Sequence, residues 1–334
     1  MLPREGPARS QSRRLGIAAH ARDHLSRRPV IARFRFTPPA PYSLKLTAAR
    51  FSRFPEIVDL FDGRTYRRLL RVDSRPVLLT VRQPGAVSKP ILDVRLEGKV
   101  ARAPAARAAA RFVIERALGA TVDLRPFYRA LRSDPVLAPS LSAFRGLGVA
   151  GWSDVWEALV TTVLCQQVNL KFAYDIRREL AAALGLSARI GGKTFHAFPP
   201  PERLAEESAG SLRRFRLSRS KAETIRRLAR AFARGELSQA ELEALPDAAV
   251  VERLTAIKGI GTWTAETVLL RGLGRLDAFP AGDLGVVKYL AQGLFARTGR
   301  ATEAEMRRRA ESWRPWRGLA LVYAYAELAR RREG

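Results

Sequence analysis

The residues best able to do chemistry fall within one short stretch. Gly259 and Gly261 bracket a single isoleucine, with Lys258 before them and Thr262-Trp263-Thr264 after. Twenty-two residues beyond Gly261, at the end of Phe279-Pro280-Ala281-Gly282, stands one carboxylate, Asp283. A Gly-x-Gly turn between two apolar-faced helices calls for φ > 0 and close backbone approach, which glycine supplies most cheaply. Exposed amides at such a turn, with the N-terminal end of the next helix, can meet phosphate oxygens. Lys258 adds a positive charge there. The turn alone is a weak signal, because many αα-hairpins carry one. Asp283 taken alone reads as the N-cap of a helix over 284–294. Trp263 taken alone reads as core packing.

Composition narrows the partner. The 334 residues suffice for two or three domains, and 47% hydrophobic content marks a globular chain. Net charge is +27, from 59 basic against 32 acidic side chains, which favours a polyanion. Of the basic residues 51 are arginine, and alanine is also abundant, so genome composition explains part of the excess. Cys165 is the only cysteine, which excludes an intramolecular disulfide and a cysteine-ligated iron–sulfur cluster within the chain. His20, His24 and His196 lack metal-ligand spacing, and no metal site is expected. No apolar run reaches the ~18 residues that span a bilayer, and the N-terminus lacks the apolar core of a secretory signal. A soluble, intracellular, cytoplasmic protein without a membrane partner is the expectation.

Three segments must carry these residues. Residues 1–32 hold Pro, Ser, Gly and arginines without periodicity, and read as a basic disordered tail or a mis-assigned translation start. Residues 33–145 read as a small α/β domain. Thr65–Arg71, Val77–Arg82 and Ile91–Leu96 have strand character, with Pro84-Gly85 between the last two, and Pro104 opens a helix that Gly119 closes. Residues 146–334 read as helical throughout. Asp154 with Glu157, Ser220 with Glu223 and Thr302 with Glu305 have capping-box spacing, and Pro315 suits the first turn of the last helix. The fold class is α+β, mostly α: a small N-terminal antiparallel sheet domain followed by a helical core.

Four separated stretches resemble the 3-methyladenine DNA glycosylase II (AlkA-type) branch of the helix-hairpin-helix base-excision DNA glycosylases. They are Cys165-Gln166-Gln167-Val168-Asn169, Leu217-Ser218-Arg219-Ser220-Lys221-Ala222, the segment from the hairpin to Asp283, and Trp313-Arg314-Pro315-Trp316-Arg317. The likeness is strong over 150–330, weaker over 33–145 and absent over 1–32. It implies an active cleft between two helical subdomains with the hairpin at its mouth. It also implies duplex DNA containing damaged bases as the partner, a monomeric enzyme located with the nucleoid, and no cofactor. Whether a monovalent ion sits at the hairpin is not legible in the sequence.

The resemblance assigns roles to single residues. Asp283 becomes the catalytic carboxylate, stabilising oxocarbenium character on the deoxyribose and orienting water. Trp263 stands where strand-cleaving members carry a lysine that forms a Schiff base. An indole cannot, which implies a monofunctional enzyme, and it could stack on an extruded base. Tyr325 matches an aromatic position on the pocket wall, or is simply a buried tyrosine. Gln167 matches the residue that wedges into the stack, though relatives often have an apolar side chain there. Lys258, Gly259, Gly261 and Thr262 become the phosphate grip. Two other readings stay open: an oxidised-purine (8-oxoguanine type) glycosylase, and a helix-hairpin-helix DNA-binding protein without catalysis.

Overall fold

The computed structural model describes residues 30–296 and 298–333. The expected tail lies outside these residues except at its end, where Ile31 and Ala32 already pair in a sheet. Strand β1 (Ile31–Phe36) lies against β5 (Leu92–Glu97), and the sheet continues through β4 (Arg75–Arg82) and β3 (Thr65–Val72) to β2 (Asp59–Phe61), antiparallel throughout. Leu92, Val94 and Leu96 alternate with polar neighbours, and all three are buried against the helix Pro104–Arg116 through Ala106, Ala110, Val113 and Ile114. Alternation with period two puts one face of a strand in the core. The sequence reading named no strand here and ended the tail at residue 32, so it cut β1, Ile-Ala-Arg-Phe-Arg-Phe, after its second residue.

The region beyond residue 146 is not helical throughout. A hairpin of β6 (Ser187–Ile190) and β7 (Lys193–His196) interrupts it. Its turn is Gly191-Gly192, with φ of 56° and 79°, the doubly left-handed geometry that two-residue hairpins favour. Ile190 and Phe195 cover Leu69 and Leu78 on the other face of the main sheet.

The helical core surrounds Val155–Cys165. Residues from Val155 to Leu164 are buried without exception, as expected of a central helix with no solvent face. Asp154 caps it by accepting from the Glu157 amide at 2.7 Å. Glu157 does not complete the box, because its carboxylate turns inward to Arg68 and Arg177. Ser218, not Ser220, caps the helix Arg219–Ala233, and Glu223 pairs with Arg219 instead. Thr302 and Glu305 do form a reciprocal box. Pro315 precedes the C-terminal helix Arg317–Glu333 by two residues. Among the described residues no helix is long and apolar enough to cross a membrane.

A buried ionic cluster joins sheet to helices. Arg68 donates to Asp59 at 2.7 Å, to Ser153 at 2.9 Å and to Glu157. Arg177 reaches Glu56, Glu157 and, at 3.3 Å, Asp59. The Tyr66 hydroxyl donates to Asp59. Charges this deep persist only when paired and hydrogen-bonded, so the cluster fixes how the sheet sits on the helix Val155–Cys165.

Candidate active site

Asp283 is held by three uncharged donors. The Tyr325 hydroxyl reaches Oδ1 at 2.9 Å, the Gly285 amide reaches Oδ1 at 2.8 Å, and the Trp263 indole Nε1 reaches Oδ2 at 2.9 Å. Tryptophan and tyrosine, placed by sequence on a pocket wall, thus orient the carboxylate itself. No cation pairs with Asp283 among the described residues, so its charge is aimed but not cancelled. Burial, then the adjacent Asp283, push the Tyr325 phenol far above the usual tyrosine range. That phenol stays protonated and donates. Gly285 is small for a reason: a Cβ there would collide with the Tyr325 hydroxyl.

Several elements deliver these side chains. Trp263 starts the second hairpin helix, Thr262–Arg271, and Tyr325 lies midway along Arg317–Glu333. Asp283 precedes a π-helical turn, Gly285–Leu290, where an ordinary α-helix was expected. Such wide turns recur at functional sites. Lys288, five residues past Asp283, lies within this turn. It is exposed, with its ammonium 5.4 Å from the Tyr289 ring centroid. The Trp313–Arg317 stretch braces the approach to Asp283. Arg314 and Arg317 both grip Asp277 at 2.8 Å, and Trp313 packs edge-on against Phe279.

The hairpin tip is exposed. Lys258, Gly259, Gly261 and Thr262 all face solvent, and Gly261 supplies no side-chain cap to the helix behind it. First-turn amides of that helix are therefore free for an anion. The two glycines are not equivalent. Gly259 has φ of 99°, and a Cβ there would strike Thr224. Gly261 is extended at φ −103° with open space around it, so the expected left-handed turn is made by Gly259 alone. The tip is tied down by Arg227, donating to the Lys258 carbonyl at 2.6 Å, and by Gln166, donating to the Gly259 carbonyl at 3.0 Å and to Thr264 at 3.1 Å.

Gln166 also links the hairpin to the next turn of the rim. Gln167 is exposed with φ of 52°, a left-handed conformation that a non-glycine residue adopts at a cost. The cost presents its side chain outward beside exposed Leu170, at 43%. Lys221 donates to the Leu164 carbonyl at 2.9 Å, anchoring the same turn from behind. Cys165 is half-buried there, and burial pushes its thiol up to about 11, consistent with packing and not reactivity.

Sequence reasoning missed Arg50 and Arg271. Arg50 comes from the short 3₁₀ turn Ala49–Ser52 of the sheet domain. Its guanidinium stacks on Trp152, 4.6 Å from the ring centroid, and donates to the Tyr174 hydroxyl at 3.2 Å and the Gly151 carbonyl at 3.2 Å. Arg271 ends the helix that Trp263 begins, and donates to the Ala150 carbonyl at 2.6 Å. Burial, then repulsion from Arg50, pull Arg271 down to about 9, while Tyr174, Tyr325 and Asp283 act in the opposite sense. Nothing in a chain with 51 arginines marks these two.

Comparison with known proteins agrees with this architecture. Residues 160–315 match the HhH-GPD superfamily base excision DNA repair protein family. The chain is 36% identical over 206 residues to the DNA-3-methyladenine glycosylase of Bacillus subtilis, covering 62% of this chain and 68% of the relative. It is 30% identical to DNA-3-methyladenine glycosylase 2 of Escherichia coli over 54% of this chain and 60% of that one. In three dimensions it superposes on a 3-methyladenine DNA-glycosylase from Archaeoglobus fulgidus with a TM-score of 0.76 and 26% identity, over 89% of this chain and 98% of the other.

Proposed function

The chain belongs to the HhH-GPD superfamily of base excision DNA repair proteins, and from that premise we propose that it extrudes an alkylated purine of the 3-methyladenine type from duplex DNA and hydrolyses its N-glycosidic bond. One observation carries the reading: Asp283 held by Trp263, Tyr325 and the Gly285 amide, with no cation paired to it among the described residues. Bond cleavage builds positive charge on the deoxyribose, and a fixed, uncancelled carboxylate is complementary to that charge and to nothing in the intact nucleotide. Fixing both oxygens in advance removes reorganisation from the reacting step. Water is the only other reactant, so the reaction needs no cofactor.

The hairpin tip and the helix N-terminus behind it take the phosphates, Lys258 adds charge, and Gln167 fills the gap left by the extruded nucleotide. The product is an abasic site with the strand intact. Trp263 supplies no amine, Lys258 sits at the exposed tip, and Lys288 is exposed and turned onto Tyr289. A protein acting alone on one lesion needs no second copy, so the working form is a monomer.

Excision from duplexes bearing one 3-methyladenine, one hypoxanthine or one 8-oxoguanine tests the assignment. Release of 3-methyladenine with uncut product strands is the expected result. Release of 8-oxoguanine alone, or a covalent complex trapped by borohydride and lost on replacing Lys288 or Lys258, overturns it.

A further inference from the structure

The outer face of the N-terminal sheet carries a charge pattern that the fold alone does not account for. Two residues along from Leu69 and Leu78, which the β6–β7 hairpin covers, the face turns from apolar to basic. The register lines up Arg33, Arg95, Thr80 and Arg67 as one row of directly opposed residues, and Arg35, Asp93, Arg82 and Thr65 as the next. Arg33 thus faces Arg95 across the β1–β5 ladder, and like charges directly opposite destabilise a sheet. Arg35 pairs with Asp93 at 3.2 Å, Arg95 with Glu97 at 2.6 Å and Arg67 with Asp62 at 2.8 Å. Arg33, Arg82 and Arg64, the last in the β2–β3 turn, have no carboxylate partner among the described residues. The Arg95 Nε is enclosed without a hydrogen-bond partner. Such a donor costs stability, and swinging the guanidinium out onto a ligand would relieve it. The surface is also concave. A depression of ≈ 520 Å³ is lined by Arg33, Arg35, Arg95 and Arg82, and one of ≈ 400 Å³ by Arg82, Arg67 and Arg64, with Asp93 and Asp62 in their walls. Arg82 belongs to both, so they form one groove across β1, β5, β4 and β3.

We propose that this groove binds the phosphate backbone of a second duplex DNA segment while a first is engaged at the hairpin and Asp283. The inference rests on duplex DNA being the substrate and adds a second place to hold it. Each row spans three strand spacings, roughly 14 Å, with side chains rooted about 5 Å apart across strands and about 7 Å apart along one. Six guanidinium groups so spaced fit a repeating polyanion better than one small anion, and the planar fork of arginine matches phosphate. Nothing in the groove stacks on bases. Phe34 lines it, but the Phe34 ring packs toward the helix Pro104–Arg116, where the Arg107 guanidinium lies 4.9 Å from its centroid. A single strand is held by aromatic platforms, whereas a duplex offers its phosphates outward, so the duplex is the better fit. The inner face of the same strands packs on Pro104–Arg116 and, through Arg68, on Val155–Cys165. The groove therefore looks away from the helical domain that carries Asp283, and a duplex lying in it leaves the hairpin free. Holding two segments at once lets the protein pass from one to the other without first entering free solution.

Dissociation of a labelled duplex, followed as unlabelled duplex is added in rising amounts, tests the proposal. Energy transfer between donor-labelled and acceptor-labelled duplexes reports two held together. Both are measured on the full chain, on Arg33→Glu and on Arg33→Ser/Arg82→Ser, beside single-turnover release of 3-methyladenine from a short duplex. The wild-type dissociation rate should climb with added duplex, and the protein should bring the two labels together. In both variants that climb should shrink about tenfold or more and energy transfer should be lost, with release of 3-methyladenine unchanged. The salt dependence of the second binding step should fall by about one power for each arginine removed. Arg33→Glu places opposite charges across the ladder, so its denaturation midpoint should hold or rise and a folding failure is not the cause of the loss. A dissociation rate flat in added duplex, or a climb that survives both variants, overturns the proposal. Labelled poly-glutamate bound by wild type and lost in the variants, without energy transfer, also overturns it and gives the face to an acidic protein. Release of 3-methyladenine without bridging sinks this inference alone, and bridging without release of any base sinks the glycosylase reading alone.

Discussion

Among the described residues, the buried arginines at the junction of sheet and helices and the half-buried pair at Ala150 are built oppositely. At the junction of sheet and helices, Arg68 and Arg177 share Asp59, Glu56 and Glu157, so every cation has carboxylates against it. At Ala150, Arg50 and Arg271 meet carbonyls, a hydroxyl and the Trp152 and Phe51 rings, while at the active site Asp283 is held by neutral donors. The first arrangement is complete in the free protein. The second leaves Asp283 without a paired cation among the described residues, which stabilises nothing until a substrate enters. Charge complementarity satisfied internally marks architecture, and charge left open marks a site.

Replacing one carboxylate in each place draws the contrast most sharply. Asp283→Asn keeps the size and the Tyr325 and Gly285 contacts but removes the charge. Base release should fall by about a thousandfold or more, with duplex affinity and the denaturation midpoint nearly unchanged. Glu157→Gln should do the reverse. It leaves two buried guanidinium groups short of a partner and should cost about 3–5 kcal/mol of stability, with chemistry at Asp283 intact in the molecules that remain folded. Urea titration and single-turnover excision on the same two proteins decide it. Near-normal excision by Asp283→Asn would remove that residue from its role.

The difference between the two places also explains what could be read without coordinates. Asp283, Trp263 and the hairpin are local in sequence, and local patterns carry their own spacing. Tyr325 came from a single matching aromatic position outside the four stretches, and its contact with the carboxylate, rather than with a base, needed three dimensions. The junction cluster was invisible because its members come from two strands, two helices and a loop, and Glu157 sat at a position that local rules assign to a capping box. Arg50 was invisible for the same reason, arriving from the sheet domain more than two hundred residues before Asp283. The β6–β7 hairpin was missed despite its Gly191-Gly192 signal, because each flanking strand is only four residues long.

Arginines should obey the same division. Arg177→Met strips Glu56, Glu157 and Asp59 of their shared cation and should lower stability by about 3–5 kcal/mol. Arg271→Met removes a cation that has no carboxylate and a repelling neighbour, so stability should change by less than about 1 kcal/mol or rise. A large loss from Arg271→Met would show that its bond to Ala150 is structural.

Acid sharpens the junction side of the comparison. Burial pushes the Glu157 carboxyl up, but Arg68 and Arg177 outweigh it and hold it at about 2. An unfolded glutamate titrates near 4.3. The folded value is the lower one, so Glu157 contributes its full stability above about pH 4.5 and loses it as pH falls toward 2. Glu56 has the opposite sign, since burial outweighs Arg177 and raises it, and protonation relieves it. Between pH 5 and 3 the urea midpoint of wild type should fall more steeply than that of Glu157→Gln. Equal slopes would remove Glu157 as a source of acid lability.

The smallest contrast lies within the hairpin, where two glycines two residues apart should fail in different assays. Gly259 has φ of 99° and Thr224 against it, so Gly259→Ala strains the turn and displaces a neighbour. The turn should lose about 1–3 kcal/mol, and the loss should appear in thermal denaturation without any DNA present. Gly261 is extended and has open space, so Gly261→Ala should leave the free protein within about 0.5 kcal/mol of wild type. If the space beside Gly261 is where a phosphate lies against the first-turn amides, the new methyl group obstructs that approach. Affinity should then fall by roughly tenfold, and by the same factor for every duplex, lesion-bearing or not, because phosphates carry no sequence information. The wild-type affinity should fall steeply with salt as counterions are released. Unchanged affinity in Gly261→Ala would move the phosphate contact to Gly259 and Lys258, and a selective effect on damaged duplexes would place Gly261 against the extruded nucleotide instead of the backbone.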